Sequence, residues 1–224
     1  MNTVENKPLT LEDFAANREK IVTEKLAVFD KMPFYSAVKR ISDFVLSLIG
    51  ICVLLLPMAI IGVIVCLDSS GGPVFKQVRL GKNEKPFYLY KFRTMDKDAE
   101  QYGAQWADKD DPRVTKTGRF LRHTRLDELP QLFNILKGDM SIVGPRPERP
   151  EFYEVFDTYI DGFRQRMLVT PGLTGHAQVN GGYDLLPEEK IVFDLEYIKN
   201  RSFIMDIKCI FKTVAVFFTS DGAR

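Results

Sequence analysis

Residues 44–67 read FVLSLIGICVLLLPMAIIGVIVCL, an apolar run that no charged side chain interrupts. Asp43 bounds it on one side and Asp68 on the other. As one helix, about 24 residues rising ~1.5 Å each would extend roughly 36 Å. A bilayer's hydrocarbon core is about 30 Å thick, so the run is long enough to cross it. It has no polar face, which suits lipid better than the core of a soluble protein. It starts far into the chain and no small-residue cleavage site follows, unlike a cleavable secretory signal. Pro57 lies near its middle, where it lacks an N–H and crowds the preceding turn. Two membrane arrangements follow: a spanning helix, and a re-entrant hairpin that breaks at Pro57 and returns to the same face. Lys39 and Arg40 precede the run, and Lys76, Arg79 and Lys82 follow it. Both flanks are basic, so the positive-inside rule gives no orientation. A break inside lipid would also free backbone groups that need partners. Charge and proline together leave both arrangements open.

The remainder is an ordinary globular sequence. Lys plus Arg number 31 and Asp plus Glu 30, for a net charge of +1. That balance excludes a strongly basic nucleic-acid binder and an acidic tail. Hydrophobic residues at 45% and charged residues at 27% exclude a disordered chain. Cys52, Cys66 and Cys209 lie in apolar runs without metal-ligand spacing, and read as core or lipid-facing thiols. Without a disulfide framework, the charged part is expected in a reducing compartment. Two histidines exclude a multi-histidine metal centre.

Three regions follow: an N-terminal amphipathic arm at 1–34, the membrane helix at 35–67, and a domain with amphipathic ends at 68–224. A helix over about 11–31 is expected in the arm, capped by Thr10 and ended by Pro33. Asp68-Ser69-Ser70-Gly71-Gly72-Pro73 is a turn cluster. Residues 74–80 and 87–92 read as two strands of a hairpin. Helices are expected near 96–102 and over 127–137, 148–160, 187–200 and 203–218. Gly138 suits the end of the second of these. The apolar side of the last fits a water–membrane interface as well as a core. Residues 141–144 read as a short extended run, and Pro171-Gly172-Leu173-Thr174-Gly175 as a turn.

The dense chemistry lies in RFLRHTRLDELPQLFNILKGDMSIVGPRP, residues 119–147. Asp127 sits where a helix is expected to begin, with Glu128 next. An Asp there is commonly only an N-cap. The company raises a functional reading: Arg119, Arg122 and Arg125 precede the dyad, and Arg146 follows between Pro145 and Pro147. Several arginines at a helix start make an anion site suited to phosphate. An acidic pair within it can hold a divalent cation against phosphates. It can also supply a carboxylate nucleophile. Lys91 and Arg93 fall at a strand end, where a solvated edge is the plainer reading. No P-loop, dinucleotide fingerprint or Ser-His-Asp arrangement is present.

Over residues 35–219 these motifs together resemble the bacterial sugar transferases, the monotopic polyprenyl-phosphate phosphoglycosyltransferases (undecaprenyl-phosphate sugar phosphotransferases). The runs that carry the resemblance are Lys39-Arg40 with Asp43, Gln77-Val78-Arg79-Leu80-Gly81, Lys91-Phe92-Arg93-Thr94-Met95, Asp111-Pro112-Arg113, Leu126-Asp127-Glu128-Leu129-Pro130-Gln131-Leu132, Lys137-Gly138-Asp139-Met140-Ser141, Val143-Gly144-Pro145-Arg146-Pro147-Glu148 and Pro171-Gly172-Leu173-Thr174-Gly175. Leu56, Arg125 and His176 stand where such sequences often carry Ser, Ser and Trp.

The resemblance implies an α+β, mostly helical fold. It would have a re-entrant, Pro-broken membrane helix, amphipathic interfacial helices and a small β-hairpin. It implies a catalytic domain on the cytoplasmic face of the membrane, with both chain ends on that side. It implies transfer of a sugar 1-phosphate from a UDP-sugar to undecaprenyl phosphate, releasing UMP, as the first step of exopolysaccharide, capsule or O-antigen assembly. In that scheme Asp127 is the nucleophile and Glu128 holds Mg²⁺. Arg122 and Arg146, the latter with Pro145 and Pro147, bind substrate, and Lys91, Arg93 and Arg79 are further substrate-binding candidates. The partners are a UDP-sugar, polyprenyl phosphate and the membrane, with no nucleic acid and a homodimer left open. A noncatalytic membrane-bound interaction module is the alternative, with the arm as its partner-binding part.

Overall fold

The long apolar run forms a single helix, and a globule is built along one side of it. The computed structural model describes residues 15, 18–26, 32–99, 111–181 and 185–219. The fold is α+β and mostly helical, with short strands β1 (Ile21–Val22), β2 (Val74–Leu80), β3 (Pro86–Phe92), β4 (Ser141–Val143), β5 (Ile160–Asp161) and β6 (Gly172–Thr174). The helices are α1 (Pro33–Asp68), α2 (Lys116–His123), α3 (Gln131–Lys137), α4 (Pro150–Asp157), α5 (His176–Gly181), α6 (Pro187–Asn200) and α7 (Phe203–Thr219). The strands form three two-stranded sheets: antiparallel β2–β3, parallel β4–β6 and parallel β1–β5.

Helix α1 starts well before the apolar run. Pro33 occupies its first turn, where a missing N–H costs nothing and the fixed φ suits a helix. Its 36 residues, at ~1.5 Å each, extend roughly 54 Å. Pro57 lies inside this helix and does not end it, so the expectation of a segment broken there is corrected. One proline removes a single donor, and the turns on either side keep theirs. Among the described residues α1 alone is long and apolar enough to cross a membrane, and 17% of its most apolar window is buried. One stripe, through Tyr35, Asp43, Ser47, Ile51, Met58 and Val65, is buried. The rest, including Leu46, Val53, Leu56, Ile60 and Leu67, is exposed.

The buried stripe meets the globule at both ends of α1. Near its start, Tyr35 and Lys39 each bond one carboxylate oxygen of Asp206 on α7, at 2.8 Å. The other oxygen accepts from the Tyr197 hydroxyl of α6 at 2.7 Å. Arg40 donates to the Ile135 and Leu136 carbonyls at the end of α3, at 2.7 and 2.8 Å. A cation there also opposes the helix dipole. Asp43 accepts the Ile142 amide of β4 at 3.0 Å. Near its far end, Met58 and Val65 pack with Phe92 and Leu121. The basic flank before the apolar run therefore turns inward, onto the protein.

The main core gathers Phe152, Phe156, Phe163, Ile160, Ile191 and Ile198 between α4, β5 and α6. Hairpin β2–β3 runs in register from Val74↔Phe92 to Leu80↔Pro86, as the alternation predicts. Helices 187–200 and 203–218 also agree with α6 and α7.

Four expectations are corrected. The part of the arm that is described, 18–26, is extended rather than helical; Ile21 and Val22 are β-branched and find an edge at β5. The rest of the proposed 11–31 helix lies outside the described residues, save Ala15, which is helical as expected. The expected 148–160 helix stops at Asp157, because Ile160–Asp161 pairs with that arm. The glycine-rich 171–175 segment is strand β6 rather than a free turn. Of the 96–102 helix, residues 97–99 form a turn and 100–102 lie outside the described residues. Helix α2 escaped the pattern reading. It is eight residues long, carries Gly118 inside, and is capped by Thr115, whose side chain accepts the Gly118 amide.

The Asp206 junction joins three helices through one carboxylate. Asp206→Ala leaves Lys39 without its ion-pair partner and removes the shortest acceptor of two buried tyrosine hydroxyls, which keep only longer bonds, to each other at 3.4 Å and from Tyr197 to the Val143 carbonyl at 3.2 Å. The expected cost is about 3 kcal/mol, read as a lower Tm by thermal unfolding in detergent.

Candidate active site

Asp127 and Glu128 lie on a 3₁₀ turn, Leu126–Glu128, rather than at the head of the following helix. Pro130 has no N–H to continue the ladder, and it serves instead as the cap residue before α3. Arg125, just before the turn, has a left-handed backbone with φ of 52°. The two carboxylates are 6% and 7% exposed, so neither is a solvated helix cap.

Two cations stand against them. Lys91, near the end of β3, approaches Asp127 at 3.4 Å and Glu128 at 3.1 Å. Arg146 meets both oxygens of Glu128, at 2.5 and 3.4 Å. The Lys91 and Arg146 side chains keep 23% and 19% of their surface, so an incoming anion can reach them. Burial pushes the Asp127 carboxyl above the ordinary carboxylate range, and the neighbouring Glu128 adds to this. Lys91, Arg146 and Arg122 act in the opposite direction. Arg122, on α2, donates through Nε to the Thr94 hydroxyl at 2.9 Å, and its charge is felt at Asp127.

Lys91 and the dyad come from different elements, and Asn134 holds those elements together. This fully buried side chain accepts the Tyr90 amide at 3.0 Å and donates to the Tyr88 carbonyl at 2.7 Å. It thus treats the free edge of β3 as a neighbouring strand would. Because Tyr90 adjoins Lys91, α3 and β3 meet at a fixed offset.

Arg146 is placed through the backbone of its loop. Each carbonyl from 145 to 148 accepts a hydrogen bond from a different source. Pro145 accepts from the Gly172 amide (2.9 Å) and Arg146 from Arg166 (2.9 Å). Pro147 accepts from Arg79 (3.0 Å) and Glu148 from the Leu80 amide (3.1 Å). Parallel strands β4 and β6 bring the loop to this clamp, and glycines permit the approach. A Cβ on Gly172 would stand 2.1 Å from the Gly144 nitrogen, and one on Gly144 2.4 Å from the Thr170 carbonyl oxygen.

The candidate residues thus divide. Lys91, Asp127, Glu128 and Arg146 form one cluster, with Arg122 beside it. Pro145 and Pro147 bracket Arg146 and present carbonyls to the clamp. Arg79 clamps the loop from behind and pairs with Glu148 at 3.3 Å. Arg93 donates to the Ser69 carbonyl at 2.7 Å, past the end of α1. Both guanidiniums are engaged away from the dyad. Sequence reasoning missed Asn134, Glu148, Arg166, Lys190 and Asp194. The buried Arg166 is held by Asp194 at 2.6 Å. Glu148 was within a quoted motif, but the others carry no local signal: their partners lie tens of residues away.

Glu148 is buried beneath Arg146. Burial alone would raise its pKa, but Lys190, Arg166, Arg79 and Arg146 outweigh this and hold it below the ordinary range. A depressed carboxylate adds stability above its unfolded pKa of about 4.3, and that stability is lost as pH falls through the folded value. Glu148→Gln is therefore expected to cost about 3 kcal/mol at pH 7, with the difference from wild type closing below about pH 4. Thermal unfolding across pH measures both.

Comparison with known proteins identifies the family. The family model described as bacterial sugar transferase matches residues 34–220. A protein of Aeromonas hydrophila named UDP-N-acetylgalactosamine-undecaprenyl-phosphate N-acetylgalactosaminephosphotransferase is 43% identical over 86% of this chain and 46% of its own length. The UDP-glucose:undecaprenyl-phosphate glucose-1-phosphate transferase of Escherichia coli K12 is 42% identical over 83% of this chain and 41% of its own. The chain thus spans less than half the length of these two relatives. It covers 90% of a Bacillus subtilis 168 protein named uncharacterized sugar transferase EpsL, at 40% identity over 83% of this chain. With the family pattern running through nearly all of α1 and the globule, this chain belongs to the bacterial sugar transferase family.

Proposed function

We propose that this chain transfers a sugar 1-phosphate from a UDP-sugar to undecaprenyl phosphate, with Asp127 as the nucleophile. The observation that carries the reading is a buried carboxylate pair faced by Lys91 and Arg146, in a globule built on a helix that suits lipid. One substrate is water-soluble and the other membrane-bound, so the reacting groups must meet at the bilayer surface.

A carboxylate oxygen of Asp127 attacks the sugar-bearing phosphorus. The P–O bond to the bridging oxygen breaks, and UMP leaves with that electron pair. An oxygen of undecaprenyl phosphate then attacks the same phosphorus, and the Asp127 carboxylate departs. The product is a lipid diphosphate sugar. Lys91 and Arg146 lower the repulsion between a carboxylate and two polyanions. The clamp on 145–148 holds that charge in place before substrate arrives. Arg122 is the next guanidinium available to a phosphate oxygen.

The donor set suits Mg²⁺. That ion takes one or two carboxylates together with substrate phosphates, and does not need an all-protein cage. The described residues hold no group of three or more His, Cys, Asp or Glu that could form such a cage. Glu128 would hold the ion, and the ion would supply positive charge against the diphosphate oxygens.

The contacts of α1 support a same-side topology. Its start meets Asp206 and its end meets Phe92 and Leu121, all on one globule. A helix that delivered its ends to opposite faces would pull one of these contacts through the bilayer. The exposed Ile204, Ile207, Phe211 and Val214 of α7 add a second apolar surface for the membrane. We therefore read the chain as monotopic, with the globule on the cytoplasmic face. Cysteines placed at the two ends of α1 and labelled from one side test this, and labelling from opposite sides overturns it.

The reaction is tested with purified protein, Mg²⁺, undecaprenyl phosphate and the two donors suggested by the relatives, UDP-N-acetylgalactosamine and UDP-glucose. UMP release is expected with one of them. A stoichiometric burst of UMP before lipid is added separates the covalent route from direct transfer. Asp127→Asn is expected to abolish release in folded protein, and substantial turnover would remove Asp127 as nucleophile. Arg146→Ala is expected to lower kcat by about 10²–10³-fold.

A further inference from the structure

Residues 18–26 precede the segment that matches the family, which begins at 34. They lie against the globule, on β5, on the 3₁₀ turn Phe163–Leu168 and on α6. The Ile21 amide donates to the Tyr159 carbonyl at 2.7 Å and the Thr23 amide to Asp161 at 3.3 Å, giving the β1–β5 pair. Gln165 grips the same stretch through its side chain. Its carbonyl oxygen accepts the Leu26 amide at 2.7 Å, and its nitrogen donates to the Glu24 carbonyl at 3.2 Å. Arg18 pairs with Glu188 in the first turn of α6, and Lys199 with Glu24 at 2.9 Å. Leu26 and Ala15 pack on the main core.

The two grips have neighbours in the site. Gln165 adjoins Arg166, which donates to the Arg146 carbonyl. Glu188 lies two residues before Lys190, which faces Glu148 at 3.8 Å. The segment therefore binds, from outside, the 3₁₀ turn Phe163–Leu168 that carries Arg166 and the helix α6 that carries Lys190 and Asp194.

We propose that residues 18–26 are an intramolecular strap that docks as an extended strand on β5 and α6 and steadies the Arg146 loop against Glu128. The exposed ion pairs are worth little singly. The main-chain bonds and the Gln165 amide set the register. With few buried apolar contacts, such a strap opens locally without unfolding the globule. Its effect on rate rests on the proposed reaction; its docking does not.

Amide hydrogen exchange on the full chain tests both parts. The amides to follow are Thr23 in the strap, and Leu80 and Gly172, which donate to the clamped loop. Gln165→Ala and, separately, Ile21→Pro are the undocking variants. Lys25→Ala, which removes only an exposed pair with Asp161, is the control. In each undocking variant Thr23 is expected to lose protection, and Leu80 and Gly172 to exchange faster. UMP release is expected to fall between about 2-fold and 30-fold, with the control unchanged. If Ile21→Pro speeds exchange throughout the globule, Gln165→Ala decides. An unprotected Thr23 in the wild type overturns the strap. A freed Thr23 with Leu80 and Gly172 still protected overturns its link to the loop. A wild-type chain that releases no UMP removes the proposed reaction instead, and leaves the exchange result standing.

Discussion

Two adjacent carboxylates, each more than nine-tenths out of water, repel each other and lose hydration together. They persist as charges only where cations face them at short range. In this protein the requirement falls on Lys91 and Arg146, and the local architecture follows from it. Each cation sits on an element distant in sequence, so each element needs its own fixing. Asn134 joins β3 to α3 on the Lys91 side. Arg166, Arg79 and the Gly172 and Leu80 amides fix the Arg146 side. The clamp acts on carbonyls rather than on the Arg146 side chain, whose guanidinium pairs with Glu128.

The membrane helix belongs to the same scheme. Asp43 holds β4 by the Ile142 amide, and β4 leads into the Arg146 loop. Arg40 closes the end of α3, the helix that follows the dyad. At the other end, Val65 packs on Phe92, the residue after Lys91. The apolar helix is thus a structural wall of the site as well as the segment that suits lipid.

Periodicity made part of this legible. The β2–β3 hairpin and helices α6 and α7 follow from alternation and from apolar spacing, although α7 buries Asp206 and Cys209 and leaves Ile204, Ile207, Phe211 and Val214 exposed. Asp127, Glu128, Lys91 and Arg146 were legible as a set only through the order of motifs. No single run distinguishes a cap from a nucleophile. The short parallel pairs were not legible. The extended run at 141–144 agrees with β4, but Ile21–Val22 is too short for a period, and the partners of the two strands are 31 and 139 residues away in the registers Ser141↔Gly172 and Ile21↔Ile160. The glycines of β6 read as a turn because composition reports backbone freedom, whereas here they permit close approach. Helix α2 failed for a related reason: its signal is a cap, with little apolar stripe.

The arginines show where charge reading stops. Arg79, Arg93 and Arg146 are each a cation within a basic-looking motif, and sequence treats them alike. Their acceptors differ. Arg93 lies on carbonyls at the end of α1, and Arg79 on the Pro147 carbonyl and Glu148, partners that a phosphate would not displace without opening the fold. Arg146 alone of the three spends its guanidinium on a carboxylate of the dyad, where an incoming anion and a cation could take over both halves of the pair. A guanidinium bound to structural carbonyls fastens the fold; one bound to a carboxylate of the dyad belongs to the candidate site. That distinction depends on the acceptor, which lies elsewhere in the chain, and the fold is needed to identify it.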